Sequence, residues 1–411
     1  MNAKEGRGSE PVIFLPGLVP SGPNLTMMMQ QAPQDLGCFI LQRPMAAAEG
    51  GQRSFADQAR YYARVLDHGF PNTKLHLAGF SYGGAEAFET ARQLAGLNSP
   101  AASVCVIDNG PVFRKLGPPD SNWGEQGLQA EALRRDHLLE PLDGNMRLLR
   151  GDRYNLLSLA MIGYGWEDFV EGEVDVYLLP GHHDELLHGR ADLTMQALLT
   201  KRPPDCVLTP QPGAAERRRV SHLLATNQPK AALDLLRASC RAHPTHAWSA
   251  LVADNLATDL EEDGTGVLTD WLAGQPTEPP KGVPLLAWHA ARAQALLRLD
   301  DPAAALTEIE AARAAARPTA GLIRDLEVCY GYWLLQLGRV PKAIEVLQHV
   351  GKHCGYRADI WAYLGLCFAR QEQFHRAFPL LQAAVKGPLV TEEIQNWFDR
   401  TQQAIRAGAG G

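Results

Sequence analysis

Residues 74–94 read KLHLAGFSYGGAEAFETARQL, and the fold follows from how this stretch is read. An apolar run, Leu75 to Ala78, ends in Gly79-Phe80-Ser81-Tyr82-Gly83, and a small-residue helical pattern begins at once. Gly-x-Ser-x-Gly between a strand and a helix marks a sharp, strained turn that holds a serine hydroxyl out as a nucleophile. The glycines let strand and helix pass without a side-chain clash. The five-residue pattern is common by chance, but here both flanks are present, LHLA as the strand and GAEAFETARQL as the helix. Ser81 is therefore read as a catalytic nucleophile, against the alternative of a purely structural turn.

Outward from this turn, residues 11 to about 200 alternate short apolar runs with helical patterns. The runs are VIFLPG, DLGCFILQRP, KLHLAGFS, SVCVIDNG and VDVYLLPG, with helices expected over 54–67 and 84–95. Near-continuous Val, Ile and Leu runs separated by helices indicate a parallel sheet covered on both faces, an α/β fold. RPPDCVLTPQPG, residues 202–213, concentrates four prolines and a glycine, a composition that interrupts helix and sheet alike and is read as a domain boundary. The sheet domain is accordingly placed at 1–204 and an all-α domain at 214–411.

Beyond the boundary the chain is self-similar. LQLGRVPKAIEVLQHV and FARQEQFHRAFPLLQAAVKGP set Ala343 and Ala377 34 residues apart, with Trp361, Leu364, Gly365 and Phe368 in the first helix of the last unit. Ala305 and Ala232, the latter followed by Pro244, stand in the same place in earlier segments. These segments resemble tetratricopeptide repeats, paired helices whose small residues permit close approach. The likeness is good over 328–388, fair over 214–246 and 286–318, and poor over 247–282, where TDLEEDGTG departs from the pattern.

Composition narrows the partners. A net charge of -7 provides no basic field, and the run Arg217-Arg218-Arg219 is short, so nucleic acid is not expected. The seven cysteines form no CxxC pair, which points to neither a disulfide framework nor a zinc site and suits a reducing cytoplasm. The start, MNAKEGRGSE, lacks the apolar core of a signal peptide, and no run of about 18 apolar residues occurs, so neither export nor a membrane is expected.

A serine hydroxyl needs a base, and the base needs a carboxylate to orient it. VYLLPGHHDELLHG, residues 176–189, ends a strand and presents His182 and His183, of which only one can serve. With VIFLPGL at the first strand, the elbow and its helix, VCVIDNGPV after the next strand, and this histidine loop, residues 11 to about 200 resemble the thioesterase domains of nonribosomal peptide and polyketide synthases, α/β-hydrolases.

The resemblance implies His183 as base, from its Gly-x-His pattern followed by a Leu-Leu pair, and Asp108 as acid, with Asp152 and Asp168 as fallbacks. By itself Asp108-Asn109-Gly110 is also a strong turn signal. The oxyanion donors would be the backbone N–H of Tyr82, which follows from Ser81 alone, and that of Leu18, although GLVPSGP departs from the family's glycine-rich first loop. About 65 residues separate Asp108 from the last strand, and in the family such an insertion is a lid over the acyl pocket, here placed at about 115–172. A packing subdomain is the alternative. Met27 to Met29 read either as an acyl channel or as filler between helices.

The resemblance implies no cofactor, and a substrate delivered as a thioester on the phosphopantetheine arm of an acyl or peptidyl carrier protein or synthase. The repeats are expected to dock that partner or a second copy of the chain. Two other classes stay open at this stage: a carboxylesterase or lipase on free small-molecule esters, and an inactive interaction protein.

Overall fold

In the computed structural model, the described residues are 2–4, 10–16, 23–42, 54–111, 132–134, 137–151, 156–181, 183–315, 324–354, 358–386 and 391–408. Eight strands make one sheet: β1 Asn2–Lys4, β2 Val12–Leu15, β3 Cys38–Ile40, β4 His76–Phe80, β5 Ser103–Ile107, β6 Met146–Arg150, β7 Val174–Leu178 and β8 Cys206–Leu208. Their order is β1-β3-β2-β4-β5-β6-β7-β8. The pairs from β3 through β7 are parallel, and only the edge strands β1 and β8 run antiparallel to their neighbours. β2 is buried along its whole length and β5 from its second residue, as expected of strands covered on both faces.

Helices α1 Pro23–Gln30, α2 Phe55–Gly69, α3 Tyr82–Gly96, α4 Leu156–Ala160 and α5 Ala191–Leu199 interleave with the strands. α2 starts where the Ser54 hydroxyl accepts the Asp57 N–H, and it buries Phe55, Ala59, Tyr62, Ala63 and Leu66, one stripe of a 3.6-residue period. α1 lays Met28 and Met29 into the core with Leu186 and Met195, so these methionines fill a helix interface, while Met27 is exposed.

The α/β region followed by an all-helical region matches the sequence reading in class, and three details differ. The stretch expected to be a lid, 115–172, contains β6, a central strand between β5 and β7; within it, residues 115–131, 135–136 and 152–155 lie outside the described residues. MRLLR was hidden because two arginines in five residues mimic an amphipathic helix, whereas Arg150 is in fact fully buried at the strand's end. The proline-rich boundary holds β8, since an edge strand tolerates neighbouring prolines. Residues 247–282, the poorest repeat match, still form a helix pair.

The helical region comprises α6 Ala214–Ala225, α7 Pro229–Ala242, α8 Ala247–Asp259, α9 Thr265–Ala273, α10 Leu285–Arg298, α11 Pro302–Ala315, α12 Arg324–Gln336, α13 Val340–Cys354, α14 Ala358–Arg370, α15 Phe374–Ala384 and α16 Glu392–Gly408. The turns within successive pairs each carry a positive φ, at Asn227, Glu261, Asp300, Gly338 and Glu372. Ala232, Ala305, Ala343 and Ala377 are fully buried where paired helices meet. A Cβ on Gly331 would meet Leu347 at 2.7 Å and one on Gly365 would meet Leu381 at 2.8 Å, the same close approach repeated 34 residues on. This all-helical region is consistent with tetratricopeptide-like repeats.

By compactness the chain divides into residues 1–152 with 161–284, and 153–160 with 285–411. Helices α6 to α9 thus group with the sheet, and α4 groups with the later helices. The boundary placed at 204–214 from proline content falls, by packing, at 284–285.

Candidate active site

The parallel register brings the ends of β4 to β7 level: Phe80 pairs with Ile107, Ile107 with Leu149, and Arg150 with Leu178. The ladder continues one residue further. Ser81 N–H donates to the Ile107 carbonyl (2.9 Å), Asp108 N–H to that of Leu149 (2.7 Å), and Leu179 N–H to that of Arg150 (2.6 Å). Residues following these strands therefore gather at the carboxyl edge of the sheet, where open α/β sheets place their ligands.

Ser81 lies between β4 and α3 with φ 53° and ψ -128°, a left-handed-side conformation that a serine adopts only where its surroundings impose it. The turn is so tight that a Cβ on Gly79 would collide with the backbone carbonyl of Gly83. On Gly84 a Cβ would come within 2.6 Å of the Val106 side chain, so α3 can pack on β5 only with glycine there. Tyr82 opens α3, its backbone N–H at the positive end of that helix and its side chain fully buried. Leu18 lies outside the described residues.

Asp108 follows β5 with φ 52°, a left-handed conformation that aspartate tolerates better than most residues. Its Oδ2 accepts from His183 Nδ1 at 2.9 Å. Its Oδ1 accepts from the Tyr164 hydroxyl at 3.1 Å and from the Gly151 N–H at 3.2 Å. Burial acts to raise the Asp108 pKa. The hydrogen bond and charge of His183, the Arg150 guanidinium and the Gly151 N–H outweigh it and hold the carboxyl below its ordinary value of 3.8.

The histidine loop is anchored on both sides of His183. Gly181 has φ +117°, and Leu186 and Leu187 are buried in the core. Leu186 O accepts the Thr194 hydroxyl at 2.7 Å, and Arg190 N–H donates to the Glu185 carbonyl at 2.8 Å. The His183 side chain is 41% exposed, against 8% for Asp108. Its ring rests on Phe80, the residue just before Ser81, at 4.4 Å between centroids. Asp108 supports an imidazole that reaches toward solvent beside the elbow. His182 lies outside the described residues.

Of the fallback acids, Asp152 is outside the described residues, and Asp168 is committed elsewhere, to Arg217. The sequence reading did not find Tyr164, Arg150 or the Gly151 N–H. Their only signal was the apolar pattern around MRLLR and the aromatic cluster at 164–169, both absorbed into the expected lid. A cavity of about 670 Å³ opens at the opposite edge of the sheet, against His76, Ser103, Arg147 and Lys201, and touches none of Ser81, Asp108 and His183. Among the described residues no cluster of His, Cys, Asp and Glu could hold a metal ion, and no helix is long and apolar enough to cross a membrane.

Residues 28–140 match the family model of the Thioesterase domain, a span that includes Ser81 and Asp108 and ends before His183. Similar solved structures include the NocB thioesterase domain in covalent complex with a fluorophosphonate nocardicin G analog (21% identity, 48% of this chain and 96% of that one, TM-score 0.41). Another is YbtT, a type II thioesterase from the yersiniabactin pathway (19% identity, 47% and 93%, TM-score 0.37). A third is YrrB, a TPR protein with an unusual peptide-binding site (17% identity, 47% and 91%, TM-score 0.33). No curated protein matches the chain. The Thioesterase-domain match over 28–140 points to a hydrolase.

Proposed function

We propose that the protein is a serine thioesterase that takes acyl, peptidyl or polyketide groups from a carrier protein or synthase and releases them by hydrolysis or cyclisation. The observation that supports this reading most is the 2.9 Å bond between Asp108 and His183 at the sheet edge where Ser81 occupies a strained elbow.

In this mechanism His183 removes the proton from Ser81 Oγ as the oxygen attacks the thioester carbonyl. Asp108, accepting from Nδ1, keeps the imidazole's other nitrogen free to act as base and stabilises the imidazolium that forms. The Tyr82 N–H, with that of Leu18, stabilises the oxyanion. Collapse of the tetrahedral intermediate breaks the C–S bond, and the imidazolium returns its proton to the departing phosphopantetheine thiolate. Water or a hydroxyl or amine of the acyl chain, deprotonated in turn by His183, then attacks the acyl-serine; the ester C–O bond breaks, and the imidazolium returns its proton to Ser81 Oγ as the product leaves. No cofactor enters any step.

In this reading the repeats dock the carrier or synthase, replacing covalent linkage with binding. Intact-protein mass spectrometry with a panel of acyl-carrier thioesters tests the assignment: the acyl adduct is expected on the wild-type chain and absent from Ser81→Ala. Equal turnover of free and carrier-bound acyl groups would instead favour an esterase on small molecules.

A further inference from the structure

Arg217, in the first helix of the repeat region, is fully buried. Its Nε donates to both oxygens of Asp168, at 3.0 and 2.9 Å, and its Nη2 to Oδ1 at 2.6 Å. Its remaining donors reach the carbonyls of Pro212 (2.7 Å) and Gln211 (3.0 Å), so the whole fork is spent on positioning. Arg218 adds a bond to the Asp168 main-chain carbonyl at 2.6 Å.

Asp168 lies near the end of a compact turn, 161–169, closed by backbone bonds from Tyr164 to Met161, Trp166 to Gly163, Asp168 to Gly165 and Phe169 to Trp166. At its start the turn is gripped by Arg150, whose Nη1 donates to the Met161 and Ile162 carbonyls at 3.0 and 2.6 Å. In its middle Trp166 Nε1 donates to the Asn109 carbonyl at 2.7 Å, next in chain to Asp108. Tyr164 is held at φ 55°, a conformation tyrosine rarely takes, with its ring under the Arg150 guanidinium at 3.5 Å. Its hydroxyl reaches Asp108 Oδ1, leaving Oδ2 for His183.

We propose that helix α6 is part of the catalytic apparatus: Arg217, through Asp168, fixes the 161–169 turn so that Tyr164 orients the Asp108 carboxylate behind His183. Tyr164 and Arg217 are positioning residues, and the proposal rests on the reading of Asp108 as the triad's acid. The groups facing Asp108 are His183, Arg150 and Tyr164; Asp168 faces Glu167, Arg217 and Arg218, and Arg217 also faces His246.

The test uses the full chain and two readouts, kcat/KM on a soluble acyl thioester and the proton NMR signal of the imidazole N–H bonded to Asp108. Tyr164→Phe is expected to lower kcat about tenfold with little change in KM, and to broaden that signal and move it upfield as the carboxylate swings off the imidazole. Arg217→Lys and Asp168→Asn move both readouts the same way, and Arg217→Lys adds little in a Tyr164→Phe background because the two act through one bond. Arg218→Ala, which leaves the buried pair intact, gives a smaller change in the same sense if the buried variants fail to fold by circular dichroism. Folded Asp168→Asn and Arg218→Ala chains with wild-type kcat and an unmoved signal would overturn the proposal, as would additive losses in the double variant. Asp108→Asn separates the two levels: wild-type turnover there defeats the triad reading itself, whereas a large loss there with silent Asp168 and Arg218 variants defeats only the strut.

Discussion

At the scale of single residues, the account turns on Ser81, His183 and Asp108. Ser81→Ala and His183→Ala are each expected to lower kcat/KM on a thioester by several orders of magnitude, and the double variant little further, because members of a triad act as a unit. Asp108→Asn is expected to cost less than Ser81→Ala. Glu167, adjacent to Asp168, gives a separate prediction. Burial first, and then the Asp168 charge, push its carboxyl from 4.5 up to about 7, and among the described residues its Oε2 is buried without a hydrogen-bond partner. The folded state thus holds this proton more tightly than the unfolded chain does. The resulting stability is fully present below pH 4.5 and is lost as pH rises toward 7, on the order of 1–3 kcal/mol. Urea unfolding across that window should show the decline, and Glu167→Gln should flatten it; an unchanged slope in the variant contradicts the assignment.

At the scale of elements, what could be read in the sequence is what is encoded locally. The elbow was legible because Gly79, Ser81 and Gly83 carry their geometry in five residues between a plain strand and a plain helix. Asp108 and His183 were singled out from the family resemblance, Asp108 by its place after the strand that follows the elbow helix and His183 by its Gly-x-His pattern with Leu186-Leu187 after it, and these two side chains are hydrogen-bonded to each other. β6 was not legible, because its burial depends on both neighbours in the sheet, and MRLLR alone has the composition of a helix. β8 was not, because prolines flank it. The pair α8–α9 was not, because TDLEEDGTG disguises a turn that takes the same positive φ, at Glu261, as its counterparts. Gly79→Ala tests the elbow as a unit. The added methyl meets the Gly83 backbone, which cannot swing away as a side chain could, so thioesterase turnover should fall at least a hundredfold, on the order of the 3 kcal/mol that such strain represents. Near-wild-type turnover in Gly79→Ala would mean that the turn is looser than described.

For the whole molecule, the first four helices after the sheet, α6 to α9, are more than an appendage. α6 to α9 belong to the same compact unit as the sheet, and Arg217 is a buried partner of Asp168. Removing one member of a buried ion pair costs about 3–5 kcal/mol. A chain truncated after Gly213 should therefore lose stability in thermal unfolding and lose activity on free thioesters as well as on carrier-bound ones; full activity on free thioesters would show that α6 contributes nothing to the site. Such a truncation consequently says little about docking, which is better judged from KM for carrier-bound against free acyl groups in the intact chain. The central claim, that the Ser81 hydroxyl is made nucleophilic by His183, is tested most directly by mapping the adduct of a fluorophosphonate probe by peptide mass spectrometry. The account predicts phosphonylation of Ser81, absent in Ser81→Ala and slowed by orders of magnitude in His183→Ala. Labelling at another residue, or an unchanged rate in His183→Ala, would contradict it.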